Sequence, residues 1–157
     1  MLNGLRLRGV RISTGILLVF LLLVSLAIAQ ESQTEKNKKI AVAFLTMIFN
    51  EHKVAEAFEL YSVPDYKQHN PYAATGAQAA ISFLGGYVKQ NPEARTDIKR
   101  VIAEGALVAI QNNPKQNAND RGRAVVDIFR VVNGRVVEHW DVVQDIPEKS
   151  FNTNTMF

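Results

Sequence analysis

Two runs rich in β-forming residues, Arg123–Val132 and Arg135–Val143, meet at Asn133-Gly134. Both residues of that pair tolerate the positive φ of a two-residue type I′ turn, so the runs are expected to pair as an antiparallel hairpin. Upstream, Thr96–Glu104 and Ala106–Gln111 alternate as strands joined at Gly105, and Gln111–Gly122 reads as a polar loop containing Pro114. Before residue 94 the period is helical. Lys38–Phe49 places Ile40, Phe44, Met47 and Ile48 on one face, and Ser32-x-x-Glu35 has the pattern of a capping box at its start. Lys53–Leu60 and Gly76–Gln90 read as two further helices, the second interrupted by Gly85-Gly86. Between them Pro64 and Pro71 make Ser62–Pro71 an irregular stretch. Helices first and antiparallel strands after define an α+β domain, with the helices packed on one face of the sheet.

Residues 1–29 read as a secretory signal: Arg6, Arg8 and Arg11, an apolar run from Ile16 to Val24, then Ala27-Ile28-Ala29 before Gln30. The expected destination is export, periplasmic or secreted, with an uncleaved membrane anchor as the alternative. Residues 30–37 read as a linker and 38–157 as the domain. The net charge of +3 comes from the leader, since beyond residue 29 Lys and Arg balance Asp and Glu at 15 each. A neutral domain offers no electrostatic footprint for nucleic acid. With no Cys in the chain, thiolate metal sites, cysteine nucleophiles and lipid anchoring through cysteine are excluded. Nucleotide-binding and hydrolase motifs are absent too.

A two-residue turn sets a register in which Val132 faces Arg135, Ile128 faces His139 and Val126 faces Asp141. On that reading His139 and Asp141 share a face with Val126, Ile128 and Val143. Val125, Asp127, Phe129, Glu138, Trp140 and Val142 form the other, which is mixed and reads either as a covered surface or as an interface pairing two copies through Phe129 and Trp140. A carboxylate among aliphatic side chains is costly unless it is bonded or neutralised, which is how general acids and bases are made. The alternatives are a structurally bonded Asp141, a bulge after Trp140 that turns it to solvent, and a satisfied core histidine at position 139. A facial metal triad of His69, His139 and Asp141 would need His69 to arrive from a distant loop. His52 reads as a solvated turn residue. Phe44, Phe58, Tyr66, Tyr72, Phe83 and Tyr87 fall in the helical half and would pack toward the sheet.

The segment Tyr66-x-Gln68-His69-Asn70-Pro71, Gly76 opening the next helix, and the closing Val137-Glu138-His139-Trp140-Asp141-Val142 resemble the SnoaL-like polyketide cyclase family of the NTF2-like superfamily. With Asn154-Thr155-Met156-Phe157, the chain is similar to a branch described as predicted aldol-condensation enzymes. The resemblance covers roughly residues 36–157. It implies a curved antiparallel sheet wrapped around helices, an apolar pocket, a homodimer formed through the outer sheet face, and catalysis without metal or cofactor. By position it implies Asp141 as general acid/base, with His69 and His139 as pocket histidines.

The expected function is acid–base chemistry α to a carbonyl, of aldol or isomerase type, on a hydrophobic small molecule. Asp141, His69 and His139 are the expected catalytic residues, and Tyr66, Gln68, Asn70, Val126, Ile128, Phe44 and Phe83 the expected pocket residues. No cofactor, metal, nucleic acid or membrane partner is expected of the domain. The alternative is a module that binds such a molecule without changing it.

Overall fold

The computed structural model describes residues 33–157. Residues 1–29, read from sequence as a signal, and the expected Ser32 cap lie outside the described residues. Helix α1 spans 33–49, so residues 33–37, read from sequence as linker, are helical. Its buried stripe is Asn37, Ala41, Phe44, Leu45 and Ile48, at helical spacing. Asn37 extends the stripe because its amide donates to Gly105 O at 3.0 Å, tying the helix to the turn between two strands. Helix α2 (Val54–Tyr61) buries Val54, Ala57 and Phe58, and α3 (Ala77–Gln90) begins after Gly76, whose φ of 99° ends the preceding turn.

The strands are β1 (Ser62–Gln68), β2 (Arg95–Glu104), β3 (Leu107–Lys115), β4 (Arg123–Val132) and β5 (Arg135–Asp145). They form one curved, unclosed sheet in the order β1-β5-β4-β3-β2, with β1 parallel to β5 and the other pairs antiparallel. Two expectations are corrected here. The stretch 62–71 is not wholly irregular. Its first seven residues form an edge strand, where Pro64 has no inner ladder bond to lose, and an irregularity between Ser62 and Lys67 accommodates it. Residues 111–115, read as loop, continue β3.

The third correction concerns the hairpin. Asn133 and Gly134 adopt φ of 49° and 76°, as the turn requires, and Val132 pairs with Arg135. The register then shifts between Arg130 and Val131. Val131 faces Val136, but Arg130 faces Glu138, leaving Val137 as an extra residue. Beyond this bulge Phe129 faces His139, Ile128 faces Trp140, and Asp127 faces Asp141. A one-residue slip exchanges the faces of β4 relative to β5. Val125, Asp127, Phe129 and Val131 therefore share the inner face with His139 and Asp141, whereas Val126 and Ile128 fall on the outer face with Trp140. The expected Phe129/Trp140 surface does not exist as a single face.

The core lies between the inner face and the helices. Phe44 packs edge-on against Phe58 and Phe129, with centroids 4.9 and 5.8 Å apart, and Phe58 packs against Tyr66 at 5.4 Å. Val108, Ile110, Val131 and Val136 complete the sheet side. Beyond β3, Asn113 Nδ2 donates to the carbonyls of Arg121 and Arg123, and the chain passes closely at Gly122, whose φ is 73°. A Cβ there would overlap the Pro114 carbonyl and the Asn113 amide. By contrast, Gly85 lies within α3 with nothing near its absent side chain.

These two glycines predict opposite outcomes. Gly122→Ala should lower unfolding free energy by about 2 kcal/mol or more, through strain and overlap together. Gly85→Ala should raise it by roughly 0.5–1 kcal/mol, through helix propensity. Urea titration of the two variants reads both. Equal effects would contradict the packing described at residue 122.

Candidate active site

An open cavity of about 1010 Å³ lies between α3, the segment after β1, the turn between β3 and β4, and the inner face of the sheet. Phe49, Phe83, Leu84 and Tyr87 form its apolar side, and Asn112, Val125, Asp127, Asp141 and Val143 its floor. Phe83 is thus a cavity-lining residue. Phe44 is not: it is fully buried behind the cavity against Phe58 and Phe129. A smaller hollow of about 430 Å³ beside His52, Ile81, Val88 and Lys89 has no carboxylate in its lining. His52 there takes φ 57° and bonds the Ala94 carbonyl at 2.7 Å, a structural turn contact rather than a solvated side chain.

Asn70, Asn112, Asp127 and Asp141 of the cavity lining belong to one connected array of polar groups, and Gln116, Asp120, Arg121, Arg123 and Asp145 line the cavity outside it. Asp127, 8% exposed, accepts from Asn112 Nδ2 at 2.6 Å through Oδ2 and meets His139 Nε2 at 2.8 Å through Oδ1. His139 Nδ1 lies 2.9 Å from Gln68 Oε1, and its ring stacks on Phe129 at 4.9 Å. Asn112 is held by Thr96, whose hydroxyl donates to its Oδ1 at 2.7 Å. Thr96 is held in turn by Asn50, which bonds both its backbone N–H and its carbonyl. Across the strands Asp141 Oδ2 accepts from Asn70 Nδ2 at 2.6 Å. Tyr66 is buried behind this wall, and burial together with the nearby charges of Asp127 and Asp141 pushes its phenol well above the ordinary value of 10. Among the described residues no buried side-chain polar atom lacks a hydrogen-bond partner.

The fold brings Asp141, His139, Gln68, Asn70 and Tyr66 together and leaves His69, Val126 and Ile128 out. Because β1 is a strand, its side chains alternate: Tyr66 and Gln68 point inward, Lys67 and His69 outward. His69 therefore stacks on Trp140 across the outer face, with centroids 4.7 Å apart, and its Nε2 lies 2.9 Å from Glu138 Oε1. Arg130 completes this outer cluster, its Nε donating to Glu138 Oε2 at 2.7 Å. The triad of His69, His139 and Asp141 is not assembled. Sequence reasoning missed Asp127 and Asn112, the first because the bulge was not foreseen and the second because its strand was read as loop. No local signal marked the extra residue, because Val136 and Val137 are both apolar and either could face inward.

Asp127, His139 and Asp141 place one potential metal-ligating atom each within 4.8 Å of one another. Of these atoms, His139 Nε2 and Asp127 Oδ1 are bonded directly to each other at 2.8 Å. Ligands each about 2.0–2.2 Å from one metal ion at a tetrahedral angle would stand farther apart than this. The spacing is that of a hydrogen bond. What the array offers is two carboxylates on a partly apolar wall, each with one oxygen anchored by an amide donor, and an imidazole behind one of them. That arrangement suits proton transfer.

The profile of the SnoaL-like domain matches residues 41–139, which span α1 to the middle of β5. The chain belongs to this SnoaL-like family. No curated protein sequence matches it significantly. Among solved structures it is similar to a candidate ketosteroid isomerase from Kribbella flavida, with TM-score 0.61 and 20% identity over 76% of this chain and 85% of that one. An NTF2-like protein of unknown function from Mesorhizobium loti gives 0.59 and 23% over 71% and 93%. A candidate polyketide cyclase from Acidithiobacillus ferrooxidans gives 0.59 and 17% over 69% and 87%. At these identities the likeness is one of fold: helices on a curved, unclosed sheet, as the SnoaL-like resemblance implied.

The outer cluster of this SnoaL-like domain yields a pH prediction. Bonds from Arg130 and then His69 hold the Glu138 carboxyl below its ordinary value of 4.5. A carboxylate depressed on folding contributes stability above its unfolded pKa and loses it as pH falls through the folded value. Glu138→Gln should therefore unfold more easily than the wild type at about pH 7, and the difference should shrink toward about pH 3. Thermal melts at the two pH values check this. A deficit that grows in acid would contradict the assignment.

Proposed function

We propose that the protein is an acid–base enzyme that exchanges a proton α to the carbonyl of a hydrophobic small molecule, with Asp141 as the base. The observation that carries this reading is the position of Asp141 on the wall of a cavity of about 1010 Å³, beside Asp127 and opposite aromatic side chains. Ligand cavities of roughly 300–1,000 Å³ take drug-sized molecules, so a compact polycyclic or aryl ketone is the size class this space supports. Asn70 leaves Asp141 one carboxylate oxygen free of its own hydrogen bond and holds the other. A base fixed in this way loses little entropy on reaching a C–H bond. Phe49, Phe83, Leu84 and Tyr87 give a hydrophobic substrate an apolar side to pack against. Aldol closure, isomerisation and dehydration all pass through the enol so formed, and the reading commits to that shared step, which needs no cofactor.

The test is α-proton exchange in deuterated water, followed by NMR, across a panel of hydrophobic ketones. The wild type should exchange at least one of them, and Asp141→Asn should do so about 100-fold more slowly or worse while remaining folded. Undiminished exchange by the variant contradicts the role of Asp141. Saturable binding of the panel without any exchange supports the binding module in place of the enzyme.

A further inference from the structure

Two of the side-chain amides around Asp127 and His139 have their orientation decided by groups that can act in one direction only. The backbone N–H of Asn70 can only donate, and it lies 3.0 Å from Gln68 Oε1. Gln68 therefore presents its carbonyl oxygen to His139, and His139 Nδ1, 2.9 Å away, must carry a hydrogen. The carbonyl of Ile110 can only accept, so Asn112 turns its Nδ2 toward it, at 3.2 Å, and with the same group donates to Asp127 Oδ2. Both outer ends of the Asp127–His139 pair are thereby assigned. What remains is the contact in the middle, His139 Nε2 to Asp127 Oδ1 at 2.8 Å. With Nδ1 already protonated, a neutral ring opposite an ionised carboxylate would set two lone pairs against each other, where both residues are only 8% exposed. The contact is attractive only with a proton in it.

We propose that Asp127 and His139 together store one exchangeable proton, and that Asp127, the member on the cavity wall, delivers it to the substrate's carbonyl oxygen while Asp141 removes the proton from the neighbouring carbon. This rests on the carbonyl reading of the cavity and adds Asp127 as its acid and His139 as a positioning residue. In the forward step the C–H bond breaks toward Asp141, its electron pair forms the carbon–carbon double bond, and the carbonyl π pair takes the stored proton as the O–H of a neutral enol. Asp141 is left protonated. The pair is left as a carboxylate facing the Nε2 lone pair, an unfavourable contact that draws the proton back when the enol collapses. No other reactant is consumed. Asp127 lies directly across the strands from Asp141, so donor and acceptor face one substrate from the same wall.

The experiment is proton and nitrogen NMR of the full chain labelled with ¹⁵N-histidine, without ligand, in wild type, Asp127→Asn and Asp141→Asn. The wild type should show His139 protonated at Nδ1 and one low-field resonance, outside the amide range, in contact with the His139 ring. Asp127→Asn should lose that resonance and keep the Nδ1 proton, whereas Asp141→Asn should keep both. A wild-type His139 with a bare Nδ1 overturns the proposal without recourse to any variant. So does stoichiometric Zn²⁺ binding that removes the resonance, since a cation and not a proton would then belong between the two atoms. In the ketone-exchange assay Asp127→Asn should be slowed about 100-fold or more. Full-rate exchange by Asp127→Asn removes the acid role and leaves the carbonyl reading intact. A wild type that shows the resonance but exchanges no ketone overturns the carbonyl reading, and with it the delivery step, and leaves the proton store standing.

Discussion

One extra residue in β5 decides what faces the cavity. Val136 is fully buried in the core and His139 nearly so, yet three positions separate them, and a regular strand would send one of the two outward. The bulge at Val137 absorbs the difference. On the turn side of it the hairpin keeps the register set by Asn133-Gly134. On the far side, the odd-numbered residues of β4 meet the odd-numbered residues of β5, which brings Asp127 opposite Asp141 and beside His139. Without the bulge, Asp127 and Phe129 would not share a face with His139 and Asp141. Phe129 would stay in the core with Val131, and His139 and Asp141 would turn to the outer face.

From that placement follows a chain of hydrogen bonds, buried from Thr96 to His139 and part-buried at both ends, that runs across the inner face. Asn50 holds Thr96, Thr96 holds Asn112, Asn112 holds Asp127, and Asp127 meets His139, which is held by Gln68; Asn70 then links Gln68 to Asp141. Residues from α1–α2, β1, β2, β3, β4 and β5 each supply a member. A buried polar group without a partner costs roughly 1–3 kcal/mol, so a chain in which every member is satisfied holds its atoms in one arrangement. It also distributes roles between two like carboxylates. Asp127 is tied at both oxygens and backed by an imidazole, while Asp141 is tied at one oxygen by Asn70. Two identical groups with different partners can act as acid and base on one substrate.

Much of the fold was legible from sequence because its signals are local. The helical stripe from Ile40 to Ile48, the alternation after residue 94 and the Asn-Gly turn each depend on a few neighbouring residues, and the quoted motifs pointed to the SnoaL-like family. That His139 and Asp141 share a face also followed from a spacing of two. What failed depended on partners distant in the chain. The segment 62–68 becomes a strand only because β5 offers it an edge, and with that strand comes the alternation that turns Gln68 in and His69 out. Asn112 and Asn113 look like loop residues until Thr96, Asp127 and the carbonyls beside Gly122 receive them. β4 is apolar on both faces for most of its length, so its pattern could not correct the unbroken register expected of the turn, which put Asp127 and Phe129 on the face opposite His139 and Asp141.

The register past the bulge is the claim on which the site depends, and backbone NMR reads it directly. Cross-strand contacts between the α protons and amides of β4 and β5 should connect Phe129 with His139 and Asp127 with Asp141, while Val132 connects with Arg135. Contacts of Ile128 with His139 and of Val126 with Asp141 would mean an unbroken hairpin, with Asp127 and Asp141 on opposite faces and no paired carboxylates in the cavity.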